Sequence, residues 1–298
     1  VDKLKSKIDS FLIIINQRMS TYDESSELSL INKYKSKIPK SISPELSSVI
    51  KKSLYISSIS EGAYDCTIYP LVDLWSFYLN PHDRINSIPD SSEIVASKNR
   101  VNYQKIKISD NMIIKEDENI LIDLSSIAKG YAVDEISTML LDLGYYNHAV
   151  EIGGEWYAHG KNQDADNWNI QIDDFELYSE LFAFEEYLDN PIISLDNKAI
   201  ATSGTYNNYI PIDNKPYPHL IDPKSGYPIN NNLISATIIA DNCMLADGLA
   251  TMSMILDDPN KSIRIIENEG SEGLIISVDS NGKIVEFFTK DFHRYIVD

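Results

Sequence analysis

Basic residues are scarce in this chain. Against 45 Asp and Glu stand 26 Lys and Arg, a formal charge of −19. Nucleic acid and anionic membrane surfaces both require a basic footprint, so this balance excludes either as the main partner. An anionic substrate would have to be met by a metal ion or by local backbone donors, because the overall field repels it. Cysteine is scarcer still: only Cys66 and Cys243 occur in 298 residues. Two cysteines make no disulfide framework and, by themselves, no metal cluster; both read as small buried hydrophobes. Long apolar runs are also missing. The longest, residues 11–15, is far too short to span a membrane. No signal peptide is read at the start, which already looks helical, so a mature or truncated form is expected. There is no internal repeat, low-complexity linker or visible boundary, and the reading is one domain over residues 1–298. Hydrophobic residues at 43% and charged residues at 24% are ordinary globular proportions, enough for a sizeable core.

What is present alternates between helical and extended patterns. Leu4, Ile8, Phe11, Leu12, Ile15 and Met19 recur near every 3.6 residues and predict an amphipathic helix over 2–19. Ser43 as N-cap and Pro44 at N1 start a second helix over 43–60. Residues 61–77 combine a glycine turn, β-formers and a Pro-bounded apolar stretch. Residues 81–98 read as a loop and a short helix, and 103–126 as strands joined by polar turns. The clearest helix lies within 125–147, with serine caps, apolar spacing from Ile127 to Leu140 and Gly144 as its stop. Residues 148–162 read as strand, Gly-Gly turn, strand. More strands are expected over 166–174 and 181–204. A hairpin and a Pro-Gly turn follow over 206–229, an apolar strand over 233–240, and a hairpin around Asn-Gly over 273–288. Hairpins outnumber βαβ units, so the fold class is α+β.

Asp247 stands in the middle of an oily run, DNCMLADGLATMSMIL (241–256), where an uncompensated carboxylate is costly to bury. Asp241 or Asn242 can cap this helix, which puts Asp247 inside it. Thr251, four residues on, shares its face. A carboxylate and a hydroxyl are hard oxygen ligands that suit Mg²⁺ or Ca²⁺. The competing reading has Thr251 bonding its own backbone and Asp247 pairing with a lysine elsewhere. Asp123 is read as ending a strand before a helix whose start, with Ser125, Ser126 and Lys129, offers free N–H groups and a cation suited to phosphate. A capped helix with Lys129 in solvent is the alternative. His219, beside Asp222 on a strand-like stretch, reads as a general acid/base or as a core-edge histidine next to a turn former.

Seven collinear stretches carry a resemblance that covers about residues 19–256. They are MSTYDESSEL (19–28), GAYDCTIYPLVDLWSF (62–77), IDLSSIAKGYAVD (122–134), VEIGGE (150–155), IATSGTYNNY (200–209), HLIDPKSGYPI (219–229) and ADNCMLADGLAT (240–251). Together they resemble the ApbE family of FAD:protein FMN transferases. The resemblance implies a two-lobed, T-fold-like architecture of mostly antiparallel sheets with packed helices. It implies Mg²⁺-dependent cleavage of FAD at its pyrophosphate, transfer of FMN to a threonine of a target redox-complex subunit, and release of AMP. Asp247, Thr251 and a backbone oxygen near Ser126 would then be metal ligands. Tyr22, Ala63, Tyr64, Asp65, Asp123, Lys129 and Ile221 would contact FAD, with Tyr22 stacking on the isoalloxazine ring. His219 would accept the threonine proton, with Asp222 orienting it or shaping the turn. The resemblance also implies a bacterial envelope lipoprotein, on the outer side of the inner membrane and attached only through a lipid anchor.

The chain departs from the family pattern in places. The family's opening strand with a Met-Gly-Thr motif is expected before the first residue here. Cys66 stands where a small, proline-like or hydrophobic residue is expected. Ala250 stands where some members carry another acid, and residues 174–190 diverge. Two rivals remain beside the transferase: a FAD pyrophosphatase using water on the same site, and a flavin-binding protein without turnover.

Overall fold

The computed structural model describes residues 2–172, 191–205 and 208–297. The divergent stretch 174–190 therefore lies outside the described residues. Eight α-helices occur among those described. They are α1 (Asp2–Met19), α2 (Glu27–Lys33), α3 (Pro44–Ile59), α4 (Tyr69–Leu74), α5 (Ser91–Lys98), α6 (Ala128–Asp142), α7 (Cys243–Leu256) and α8 (Pro259–Asn268). The first three strands are β1 (Lys40–Ser41), β2 (Ile106–Ser109) and β3 (Met112–Lys115). Then come β4 (His148–Ile152), β5 (Glu155–His159), β6 (Trp168–Gln171), β7 (Ile192–Leu195), β8 (Lys198–Gly204), β9 (Tyr209–Ile212) and β10 (Lys215–Pro218). The last are β11 (Leu233–Ala240), β12 (Glu272–Val278), β13 (Ile284–Phe288) and β14 (Ile296–Val297). Every strand pair is antiparallel, so the α+β class with hairpins in the majority holds.

The chain divides into two compact units, each discontinuous in sequence. The first comprises Val1–Ala128 and Asn208–Ile229. It holds a three-stranded sheet in the order β1-β3-β2 and the β9–β10 hairpin. One of its cores gathers Leu71, Trp75 and Phe77 with Ile94, Ile210, Ile212 and Ile221. The indole N–H of Trp75 donates to the Gly226 carbonyl at 3.0 Å, so the largest core side chain leaves no buried donor unpaired. Ser43 caps α3 by accepting from the Leu46 N–H at 3.2 Å, with Pro44 in the first turn as the sequence indicates.

The second unit comprises Lys129–Asn207 and Asn230–Asp298. Its centre is a six-stranded sheet in the order β13-β12-β11-β8-β5-β4. All eight residues of β11 are buried, which explains why LISATIIA lacks a polar face. The β4–β5 hairpin turns at Gly153 and Gly154, with Ile152 opposite Glu155. The core of this unit includes Ile193, Leu195, Ile200, Ile239, Leu274, Ile276 and Phe292. Helix α7 packs on β8 and β11. Asn242 caps it, accepting from the Leu245 N–H at 2.9 Å. Its buried apolar residues, worth about 1.5–3 kcal/mol each when large, outweigh the cost of one internal acid.

The Pro-bounded apolar stretch forms helix α4 over 69–74, because Pro70 suits a first helical turn. Two local readings need correction. Asp123 does not end a strand: residues 121–124 are irregular, and α6 begins only at Ala128, after a turn through the two serines. His219 lies one residue beyond β10, not within a strand.

Candidate functional site

In the second unit the first turns of α6 and α7 cross closely. A Cβ on Gly130 would lie 2.4 Å from the Cys243 carbonyl oxygen, so only glycine allows this approach. Each helix then caps the other. Asp247 on α7 accepts from the Gly130 N–H at 3.0 Å through Oδ2. Asp134 on α6 accepts from the N–H groups of Cys243 and Met244 at 2.6 and 2.8 Å. Helix N-termini leave such N–H groups unpaired and favour negative charge beside them. Asp247 is 3% exposed. Burial pushes its carboxyl up to about 6, against the opposing pull of Lys129 and the Gly130 N–H. Burial likewise raises Asp134 to about 6.

Thr251, also buried, shares a hydrogen bond of 3.2 Å with the Ser203 hydroxyl on β8. The Lys129 ammonium pairs with Glu155 Oε1 on β5. Burial acts against the Lys129 cation, but the charges of Asp247 and Glu155 outweigh it, and its pKa is raised. Burial first, then the charge of Asp247, pushes Glu155 up to about 7. These side chains offer hard oxygens: two carboxylates and a hydroxyl. No group of three or more His, Cys, Asp or Glu side chains forms a metal cluster among the described residues. That donor set fits Mg²⁺, which keeps several waters and takes one or two carboxylates rather than a closed protein cage.

The first unit holds the remaining candidates. Asp123, 3% exposed, accepts from the Ser125 N–H at 2.8 Å through Oδ1 and from the Tyr78 hydroxyl through Oδ2. Tyr78 is the hub of an aromatic group. Tyr22 meets it edge-on with centroids 5.3 Å apart, and Tyr69 lies 5.3 Å away on a tilt. Burial, then the Asp123 charge, keeps the Tyr78 phenol protonated well above its usual range. Tyr22 is 71% exposed, and a ring so open can stack on a flat ligand. Ala63 and Tyr64 are buried, and the Ser126 hydroxyl donates to the Tyr64 oxygen at 2.8 Å.

Three of the proposed contacts are committed to local structure. Asp65 accepts from the Thr67 N–H, the Thr67 hydroxyl and the Tyr103 N–H at 2.8, 2.6 and 3.0 Å, bracing its loop. Asp222 accepts from the N–H groups of Lys224 and Ser225 at 2.9 and 3.0 Å, which makes it the turn former. Ile221 packs in the core and bridges to Pro228 through its backbone. His219 is half-buried, with Nδ1 3.1 Å from the Asn208 carbonyl.

The structure thus groups Asp247 and Lys129 in one unit, and Tyr22 and Asp123, through Tyr78, in the other. Glu155, Asp134, Tyr69 and Tyr78 were missed by sequence reasoning. An acid directly after a Gly-Gly turn marked Glu155, and Asp134 sits five residues after Lys129 on the same helix. Tyr78 and Tyr69 had no local signal.

Comparison with known proteins places the chain in a family. Residues 2–275 match the model of the ApbE family. The chain is 35% identical to the FAD:protein FMN transferase of Vibrio cholerae, over 98% of this chain and 84% of that one. It is 33% identical to the Haemophilus influenzae protein of the same name, over 96% and 81%. Its structure is similar to the flavin transferase ApbE from Vibrio cholerae, with a TM-score of 0.88, 33% identity, and coverage of 99% of this chain and 91% of that one. It is also similar to the apo flavinyl transferase ApbE of Pseudomonas stutzeri, with a TM-score of 0.84, 29% identity and coverage of 99% and 88%. With the family model matched over nearly the whole chain and relatives above 30% identity along its length, this protein belongs to the ApbE family.

Proposed function

We propose that this chain is an FAD:protein FMN transferase. It moves FMN from FAD to a threonine hydroxyl of another protein and releases AMP. The observation that carries the reading is Asp247: a buried carboxylate inside an apolar helix, one turn before a buried hydroxyl, at the start of another helix.

In this reading the threonine oxygen forms a bond to the FMN phosphorus, and the bond from that phosphorus to the AMP oxygen breaks. Phosphoryl transfer demands charge neutralisation and positioning more than covalent help from the protein. Bound Mg²⁺ would supply the neutralisation. Asp247 and Thr251 would hold it, and Ser126 is carried as a further ligand on the resemblance alone. Lys129, fixed by Glu155, places a cation for a phosphate oxygen. Tyr22 offers its open ring to the flavin. Ala63, Tyr64, Asp65, Asp123 and Ile221 are proposed contacts of FAD, with Asp65 and Ile221 acting through the loops they brace. His219 would accept the threonine proton, and Asp222 would hold the turn that carries it. The whole chain acts as one functional domain. A bacterial envelope location with a lipid anchor rests on the family resemblance; no helix among the described residues is long and apolar enough to cross a membrane.

Chromatography of FAD, FMN and AMP, with and without Mg²⁺ and with and without an acceptor protein, tests the reading. Mg²⁺-dependent AMP release that requires the acceptor supports transfer. AMP and free FMN without the acceptor make the protein a pyrophosphatase. Intact FAD with both present would overturn either activity.

A further inference from the structure

Glu155 opens β5 directly after the Gly153–Gly154 turn, and its side chain is only 4% exposed. Its two oxygens are used unequally. Oε1 takes the Lys129 ammonium, whereas Oε2 is buried with no hydrogen-bond partner. A buried carboxylate oxygen left bare is expensive, and such groups call for a specific explanation. The Asp247 charge acts on Glu155 strongly enough to raise its pKa, second only to burial. The Asp247 charge thus reaches Glu155 in the interior, and Lys129 serves both acids, a local excess of negative charge that a divalent cation would neutralise. Gly153 contributes space: a Cβ there would sit 3.5 Å from Glu155 Oε2 and 3.3 Å from Lys129 Cδ. The first is an ordinary contact and the second a tight one, and the left-handed backbone at Gly153 (φ +63°) itself favours glycine. Asp247 is the one acid on α7 itself, so any second carboxylate for an ion there would come from another element.

We propose that Glu155 is a second carboxylate of the divalent-cation site, giving Oε2 to the ion while Oε1 clamps Lys129. The proposal rests on the reading of Asp247 and Thr251 as cation ligands. It makes Glu155 shared between the cation and the lysine, each taking one of its two oxygens. Neutralising both carboxylates by one ion also explains how two acids tolerate a single lysine.

Binding of Mn²⁺ alone, with the free ion followed by electron paramagnetic resonance, separates the possibilities without turnover. Wild type, Asp247→Asn, Glu155→Gln and Lys129→Met would be compared, each checked for a native circular-dichroism spectrum and melting transition. The expected result is one bound Mn²⁺ in wild type, loss in Asp247→Asn, and affinity weakened about tenfold or more in Glu155→Gln. Lys129→Met should bind at least as tightly as wild type, since it removes a competing cation. This variant keeps the proposal testable should Glu155→Gln fail to fold: weaker binding in Lys129→Met would overturn it. Binding in Glu155→Gln equal to wild type, with Asp247→Asn still defective, would overturn the role of Glu155 and leave the cation reading intact. No binding in wild type would overturn the cation reading itself, and the proposal with it.

Discussion

Replacing Asp247 with asparagine keeps the side-chain shape and an oxygen for the Gly130 N–H but removes the negative charge. The helix is therefore expected to stay folded while FMN transfer falls by roughly a hundredfold or more, the scale seen when one preorganised electrostatic group is lost. Rates with saturating FAD and rising Mg²⁺ check this; recovery at high Mg²⁺ would indicate a weaker role. Tyr22 makes a different prediction. Its ring is exposed and its value lies in the π-face, so Tyr22→Phe should change little, whereas Tyr22→Ala should raise the KM for FAD several-fold, about 1 kcal/mol of lost stacking. Steady-state kinetics on both variants decide whether the ring or the hydroxyl matters. At this scale the sequence was legible where a residue contradicted its surroundings. Asp247 is conspicuous because acids are rare inside apolar helices. Tyr78 is invisible because its partner Asp123 is 45 residues away, and Glu155 meets Lys129 from 26 residues away. No local pattern reports such pairs. Asp65 and Asp222 show the converse: both stand out chemically in sequence, and in the structure their oxygens accept loop N–H groups, as the turn-former reading of Asp222 expects.

Helices α6 and α7 are held together by what their first turns exchange. Gly130→Ala would push a methyl to within 2.4 Å of the Cys243 carbonyl oxygen. Overpacking of this kind costs about 1–3 kcal/mol and would shift Asp247 away from the Gly130 N–H. Chemical denaturation and FAD turnover should therefore fall together in this variant; loss of neither would show that the helices separate without consequence. Asp134→Asn tests the reciprocal cap. The folded Asp134 carboxyl titrates at about 6, above its ordinary value of 3.8. A raised acid binds its proton more tightly when folded, so its stabilisation is full at low pH and is lost as pH rises through about 6. The asparagine variant does not titrate. Its stability deficit should thus shrink by roughly 1 kcal/mol between about pH 5 and 7, as read by urea denaturation at each pH. Element boundaries were legible where capping is local, as at Ser43 and Asn242. They were not where side chains replace strands. Residues 120–124 (ILIDL) have the apolar run of a buried strand, but the Asn32 amide takes both backbone groups of Ile122, accepting its N–H at 2.7 Å and donating to its carbonyl at 2.8 Å. The segment is satisfied without a neighbouring strand.

The whole molecule carries a charge of −19 and acts, in the proposed reading, on an anionic substrate. Such a surface should not hold DNA, and the protein is expected to pass a DNA column unretained at about 150 mM salt. The α+β class and the hairpin-rich sheets followed from alternating patterns and turn residues. The division into two discontinuous units did not, because the chain enters the second unit and returns to the first without any linker-like composition. The central claim is that a buried carboxylate on α7 supports metal-dependent attachment of FMN to a protein. Its most direct test is intact-mass spectrometry of an acceptor protein bearing a threonine, incubated with FAD, Mg²⁺ and either wild type or Asp247→Asn, beside a sample with the metal chelated. The account predicts an acceptor mass increased by one FMN phosphoester with wild type alone, and none with the variant or the chelator. Modification that persists in Asp247→Asn or without metal would contradict it.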